Sequence, residues 1–302
     1  MSGGIYTTKK RSDKIVGLGD VSTDNLQDND VLLYNATTGQ WENGIVGGGD
    51  AIELVATNNL VSKLGTAGAN LNSGAIENIL VGLNAAKILT IGDKNVCIGS
   101  NTGTQLTGGS NNVFIGEFCG GSENPGINNS VAIGYSCCAG GNGGGGNLSV
   151  SIGYRAGAIN PGIGSVNIGN EAAKGSVSYT DSQYSINIGH VAGRTNPKEH
   201  CINMGSGAGY NGTSIQAINI GREAGNSAAG AGSSSINLGA YSNQVNGTKH
   251  NQAIVINATG ANVPSVANDT FVVKPIRGVA HGIGVGVMKY DPSTGEITYS
   301  TT

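Results

Sequence analysis

Between Lys94 and Asn257 the chain repeatedly sets an apolar residue, a variable one and a second apolar residue directly before a glycine. The copies are NVCIG ending at Gly99, NVFIG at Gly116, SVAIG at Gly134, SVSIG at Gly153, SVNIG at Gly169, SINIG at Gly189, CINMG at Gly205, AINIG at Gly221 and SINLG at Gly239. AIVIN (Ala253–Asn257) is a degenerate last copy. Successive glycines are 17, 18, 19, 16, 20, 16, 16 and 18 residues apart, so the core is constant and the linker varies. The alternation predicts a short strand, with Val131 and Ile133 on one face and Ala132 on the other. Ile186 and Ile188 around Asn187, and Ile218 and Ile220 around Asn219, repeat the pattern. Four or five residues are too few for a helix and suit a strand.

A second glycine follows the first by four residues at Gly153/Gly157, Gly189/Gly193, Gly205/Gly209 and Gly221/Gly225, giving IGxxAG. Glycine at both places implies positive φ or packing too close for a Cβ. The linkers NPGINN, GGNGGGGN and NSAAGAGS are turn formers. Two buried aliphatic side chains per unit cannot offset the entropy of ordering 16 to 20 residues, so no unit is stable alone. Stacked units share an apolar column and a hydrogen-bond ladder. The pattern therefore predicts an all-β fold, an elongated β-solenoid or β-roll of 16–20-residue repeats, with ten turns making a column of roughly 50 Å. The Ile/Val pairs are expected to fill its interior. The middle residue (Asn167, Asn187, Asn203, Asn219, Asn237) is expected to face a neighbouring column or to form its own ladder. A column so thin is expected to bundle with copies of itself.

The ends read differently. VLLYNATTGQWENG (Val31–Gly44) and VMKYDPSTGEITYS (Val287–Ser300) each predict strand, polar turn and returning strand, a β-hairpin at either end of the chain that would cap the column. The organisation expected is an N-terminal attachment or cap segment over 1–49, an irregular connection over 50–90, the repeat shaft over 91–260 and a hairpin cap over 261–302.

Composition narrows the function. The 302 residues include 53 Gly, and only 12% are charged, about half the globular norm. The net charge of -3 argues against a nucleic-acid partner, and KKR at Lys9–Arg11 is the only basic cluster. No apolar run reaches the length of a membrane helix, and MSGGIYTTKKRSDKIVG lacks the apolar core of a secretory leader. Cys97, Cys119, Cys137, Cys138 and Cys201 fit neither a disulfide framework nor a zinc site; the vicinal pair Cys137–Cys138 raises redox activity, against the plainer reading of small, partly buried thiols kept reduced.

No phosphate loop of the Walker type occurs, and GVAHGIGVGV (Gly278–Val287) lacks the strand–helix setting of a dinucleotide site. His190, His200, His250 and His281 are scattered, and His190 occupies a slot that varies between copies. Glu171 and Glu223 stand about three turns apart, too far to act as a glycosidase pair within one chain. Seven sequons, at Asn35, Asn128, Asn147, Asn211, Asn246, Asn257 and Asn268, are what chance gives in so Asn-, Ser- and Thr-rich a chain. No catalytic, cofactor-binding or metal-ligating residue is assigned, no cofactor is expected, and the protein is read as not an enzyme.

The SVAIGxxA-type repeats resemble the heads of trimeric autotransporter adhesins, which are left-handed β-rolls assembled as trimers. IGxxAG with variable linkers also resembles fibre proteins of tailed phages and large DNA viruses. LGDVS…DNDVLLYNATTGQWENG is similar to phage tail-fibre segments, and FVVKPIRG…VMKYDPSTGEITYSTT looks like the part of viral fibres that precedes an intramolecular chaperone. The resemblance covers about Gly17–Gly44 and Lys94–Thr302. It implies a virion fibre, spike or decoration protein, a homotrimer joined through one end to other virion proteins, contacting a host-surface glycan or protein through its linkers, with no membrane insertion. The leader and membrane-anchor barrel that the adhesin family carries have no counterpart in these residues, which favours the virion surface over a cellular adhesin. A fibre-borne polysaccharide depolymerase is the remaining alternative.

Overall fold

The computed structural model describes residues 31–35, 37, 39–44, 52–55, 59–62, 66–120, 126–138, 147–159, 161–175, 183–195, 198–211, 214–226, 232–243, 250–265, 267–275, 287–291 and 293–300. Lys9–Arg11, His281, Asn246 and most of Gly278–Val287 lie outside them.

Two antiparallel hairpins form where the sequence places them. β1 (Val31–Asn35) pairs with β2 (Gln40–Gly44), with Tyr34 opposite Trp41. Near the other end β17 (Val287–Asp291) pairs with β18 (Glu296–Ser300), with Tyr290 opposite Ile297.

The rest of the described strands form one fourteen-stranded sheet in strict chain order. It starts with β3 (Ile52–Val55), antiparallel to β4 (Asn59–Ser62), and every later pairing is parallel. The rungs that follow are β5 (Ile79–Val81), β6 (Val96–Ile98), β7 (Val113–Ile115), β8 (Val131–Ile133), β9 (Val150–Ile152) and β10 (Val166–Ile168). Then come β11 (Ile186–Ile188), β12 (Ile202–Met204), β13 (Ile218–Ile220), β14 (Ile236–Leu238), β15 (Ile254–Asn257) and β16 (Phe271–Lys274). Register is unbroken, Val opposite Val or Ile and middle residue opposite middle residue. No helix occurs among the described residues. This is a parallel β-solenoid.

The sheet runs past both boundaries read from the repeat. NILVG (Asn78–Gly82) within 50–90 supplies β5 with its terminal glycine, and Phe271–Lys274 adds a rung beyond 260.

The turns are laddered as well as the strands. Gly103, Gly120, Gly157, Gly193 and Gly209 donate N–H bonds to carbonyls one rung on, at 2.8 to 3.0 Å. Asn101, Phe118, Arg155, Glu171 and Val191 donate one rung back, at 2.7 to 3.1 Å. Every rung is thus tied to its neighbours around its perimeter. The glycine closing each strand has a reason: at Gly189 (φ +133) an added Cβ would lie 2.7 Å from the Gly205 carbonyl.

The alternation predicted from sequence is present with its polarity reversed. Asn187 is 0% exposed, whereas Ile186 and Ile188 are only half-buried on the outer face. The interior is narrow, because each strand faces a close-packed turn carrying Ala192 and Gly193 or their equivalents, all buried. Short amides fit that space and satisfy one another. Asn187 donates its Nδ2–H to Asn167 Oδ1 at 3.0 Å, and Asn203, Asn219 and Asn237 continue the chain at 2.8, 2.8 and 2.7 Å. The ladder expected of these residues exists, inside the column rather than on its face. The branched aliphatics, expected inside, stand outside.

Candidate functional site

The outer face follows from the period-two alternation. At each rung the two strand aliphatics point away from the column, giving two parallel rows of Val, Ile, Leu and Met from β5 to β15. Ile79, Ile98, Met204, Ile220, Ile254 and Ile256 are 36–39% exposed, and Phe271 at the last rung is 55% exposed. The positions flanking these rows are more polar, but aromatics gather on them at mid-column. Tyr135 and Tyr154, each one residue beyond its strand glycine, stack at 5.5 Å between centroids and 9° between planes. Phe118 meets Tyr135 edge-on at 6.0 Å. On the other flank Tyr184 stacks on His200 at 5.4 Å, and Leu148 is exposed.

Charged groups on the turns pair with one another. Glu171 bonds Lys174 and receives Arg194 Nε at 2.9 Å, while Arg194 Nη1 donates to the Tyr210 hydroxyl at 2.6 Å. The Lys174 ammonium, with Arg194 behind it, holds the Glu171 carboxyl below its ordinary pKa. Arg222 sits over the Tyr241 ring at 4.6 Å. Glu171 and Glu223 lie on the turns after β10 and β13, three rungs apart, and Glu171 is committed to its cations. His190 and His200 are exposed on successive rungs, and His250 contacts Ser265. Among the described residues no group of three His, Cys, Asp or Glu could hold a metal ion, and no helix is long and apolar enough to cross a membrane.

The five cysteines are free and buried. Burial alone pushes the Cys97 thiol up to about 12, and burial first of all pushes Cys138 to about 11. Cys137 Sγ contacts the Ile133 and Gly153 carbonyls.

Sequence reasoning missed the work done by the Asn- and Ser-rich linkers. Asn128 Oδ1 accepts the Ser110 N–H at 2.8 Å, Asn147 Oδ1 accepts that of Asn128 at 2.7 Å, and Asn268 Oδ1 accepts that of Asn251 at 2.8 Å. Each sequon asparagine here caps the turn of the preceding rung. Asn257 is 3% exposed and donates to Ala240 and Ala261 carbonyls, so its amide is not open to modification in the folded chain. The signal was available, as an Asn, Ser or Asp three residues before the first strand residue of β6–β9 and β14–β16.

No family model, curated protein or solved structure matches this chain.

Proposed function

We propose that this chain is a structural fibre, spike or decoration protein of a virus particle, working as a homotrimer whose columns pack through their outer Val/Ile faces. The observation that carries the reading is that face, two aliphatic side chains wide, in register and open along the column. Two side chains per rung, each with on the order of 60 Å² open, leave roughly 1,000 Å² or more of apolar surface, which exceeds the ~800 Å² per partner of a standard interface. At about 25 cal/mol per Å², covering it contributes some 25 kcal/mol before the cost of association. A second copy supplies the same surface at the same pitch.

The role is mechanical. Twelve rung spacings from β4 to β16 give a rod of roughly 60 Å. Three identical chains would present each contact surface three times, multiplying a weak affinity for a host-surface glycan or protein. The terminal hairpins would cover the column's open edges, and one end would join other virion proteins.

Electron microscopy of particles labelled with an antibody to the chain, beside images of the purified protein, tests this. Rods of trimer cross-section, with label on the particle surface, are expected. Single-column objects, or label confined to cell interiors and absent from particles, would overturn it.

A further inference from the structure

Two thiols occupy the same slot on neighbouring rungs. Cys119 follows Gly116 by three residues and Cys137 follows Gly134 by three, the position that Ala156, Ala172 and Ala192 fill later. β7 and β8 are in register, with Ile115 opposite Ile133. Gly120, next to Cys119, donates its N–H to the Cys137 carbonyl at 3.0 Å. The side chains point the same way: Cys119 Sγ lies 2.7 Å from the Gly134 carbonyl oxygen, and Cys137 Sγ makes the same contact with that of Gly153 one rung on. Both sulfurs thus lie on the same side of their turns, one rung apart. A rung spacing of about 4.8 Å falls within the ~4.4–6.8 Å between α-carbons that a disulfide spans.

The location matters. The asparagine ladder that starts at Asn59 ends at Asn112, and the next begins at Asn167. On β8 and β9 both inner slots hold only Ser130, Ala132, Ser149 and Ser151. The thiol pair spans the start of that gap, from the rung of Asn112 to the first rung whose inner slots hold no asparagine.

We propose that Cys119 and Cys137 are an oxidation site, closing to an inter-rung disulfide when the chain folds in the presence of a small-molecule disulfide. Either sulfur can lead the exchange once its thiol has given its proton to solvent, and Cys119 is taken as the leader. Cys119 sulfur bonds one sulfur of the reagent and releases one reagent thiolate, which takes the Cys137 proton. Cys137 sulfur then attacks the Cys119 sulfur and expels the second thiolate. The two cysteines lose two electrons, and the reagent disulfide is reduced to two thiols. Both thiols are buried in the finished column, so the bond forms while the rungs are stacking. The inference stands on one chain and is independent of the trimer.

The test refolds the full chain in reduced and oxidised glutathione, alkylates remaining thiols under denaturant, and maps unreduced peptides by mass spectrometry. One linked species is expected, Cys119–Cys137, two hydrogen atoms lighter, with Cys97, Cys138 and Cys201 alkylated. Closing a loop of 18 residues should raise the folded-to-unfolded ratio on the order of a hundredfold, reversed by reductant. The Cys119→Ala/Cys137→Ala chain carries the residue that fills this slot elsewhere, so it should fold and be equally stable in both buffers. Five alkylated thiols in the refolded chain, a Cys137–Cys138 or Cys119–Cys138 link, or redox-dependent stability in the double variant would overturn the proposal.

Discussion

The column is built in two ways on one backbone. From β5 to β7 the middle strand residue is apolar (Leu80, Cys97, Phe114), and the residue before the strand is a buried asparagine (Asn78, Asn95, Asn112). From β10 to β14 the arrangement inverts: the middle residue is Asn167, Asn187, Asn203, Asn219 or Asn237, and the residue before the strand is Ser165, Ser185, Cys201, Ala217 or Ser235. Both halves therefore carry one amide ladder, in different slots. In the first, Asn95 donates to Asn78 Oδ1 at 3.0 Å and Asn112 to Asn95 Oδ1 at 2.9 Å. The first half also has room for the buried cluster of Val61, Leu80, Leu89, Leu106, Phe114 and Ile127. Where a rung carries an inner amide, the amide is satisfied by its neighbours, and the volume left decides what else enters. Phe114 fits because Gly120 stands opposite, where an added Cβ would meet the ring. Asn187 fits because Gly193 does, whose Cβ would collide with its Oδ1.

That comparison can be broken at several points. The largest effect is expected in the apolar half, where Phe114→Ala empties a fully buried site and should cost about 3–5 kcal/mol in denaturant unfolding. In the polar half Asn203→Leu removes the acceptor of Asn219 and the donor to Asn187. Two orphaned amides should cost about 3–4 kcal/mol. An apolar gain there, comparable to the stability of the first half, would show the two interiors to be interchangeable.

Next comes Gly193→Ala, at about 2–3 kcal/mol for a left-handed φ of +56 plus displacement of Asn187. Ala173, in the same slot two rungs from Cys138, already has φ +48. Ala173→Gly should therefore change stability by about 1 kcal/mol or less, and the contrast between the two is read by thermal unfolding of both variants.

The smallest effect is electrostatic. The Glu171 carboxyl has a depressed folded pKa, so its contribution is present above the ordinary carboxylate pKa and is lost as pH falls through the lower folded value. Glu171→Gln should remove less than about 1 kcal/mol at neutral pH and nothing in strong acid, measured as stability against pH for both chains.

The rungs, their spacing and both hairpins were legible because a period of two and a glycine at fixed offset leave few backbones to choose from. NILVG (Asn78–Gly82) carries the same frame as NVCIG and NVFIG, 17 residues before Gly99, and the sequence reading passed over it. The inner and outer faces were assigned backwards for a physical reason. Alternation identifies the apolar face, but only in a chain that buries its own apolar surface is that face the interior. Here Asn187 is inside because neighbouring rungs supply Asn167 and Asn203 as partners, and such periodic satisfaction is invisible in any single copy. The outer Ile/Val rows carry the functional reading.

Sedimentation equilibrium of the full chain beside Ile188→Asp tests that reading most directly. Ile188 is only half-buried and lies mid-column on the outer face, so the variant should keep its fold while placing a charge in any interface there. The wild-type chain is expected at the mass of three chains, and the variant at lower mass with unchanged β-sheet circular dichroism. A wild-type chain that sediments as a single copy, or a variant that remains fully trimeric, would contradict the account.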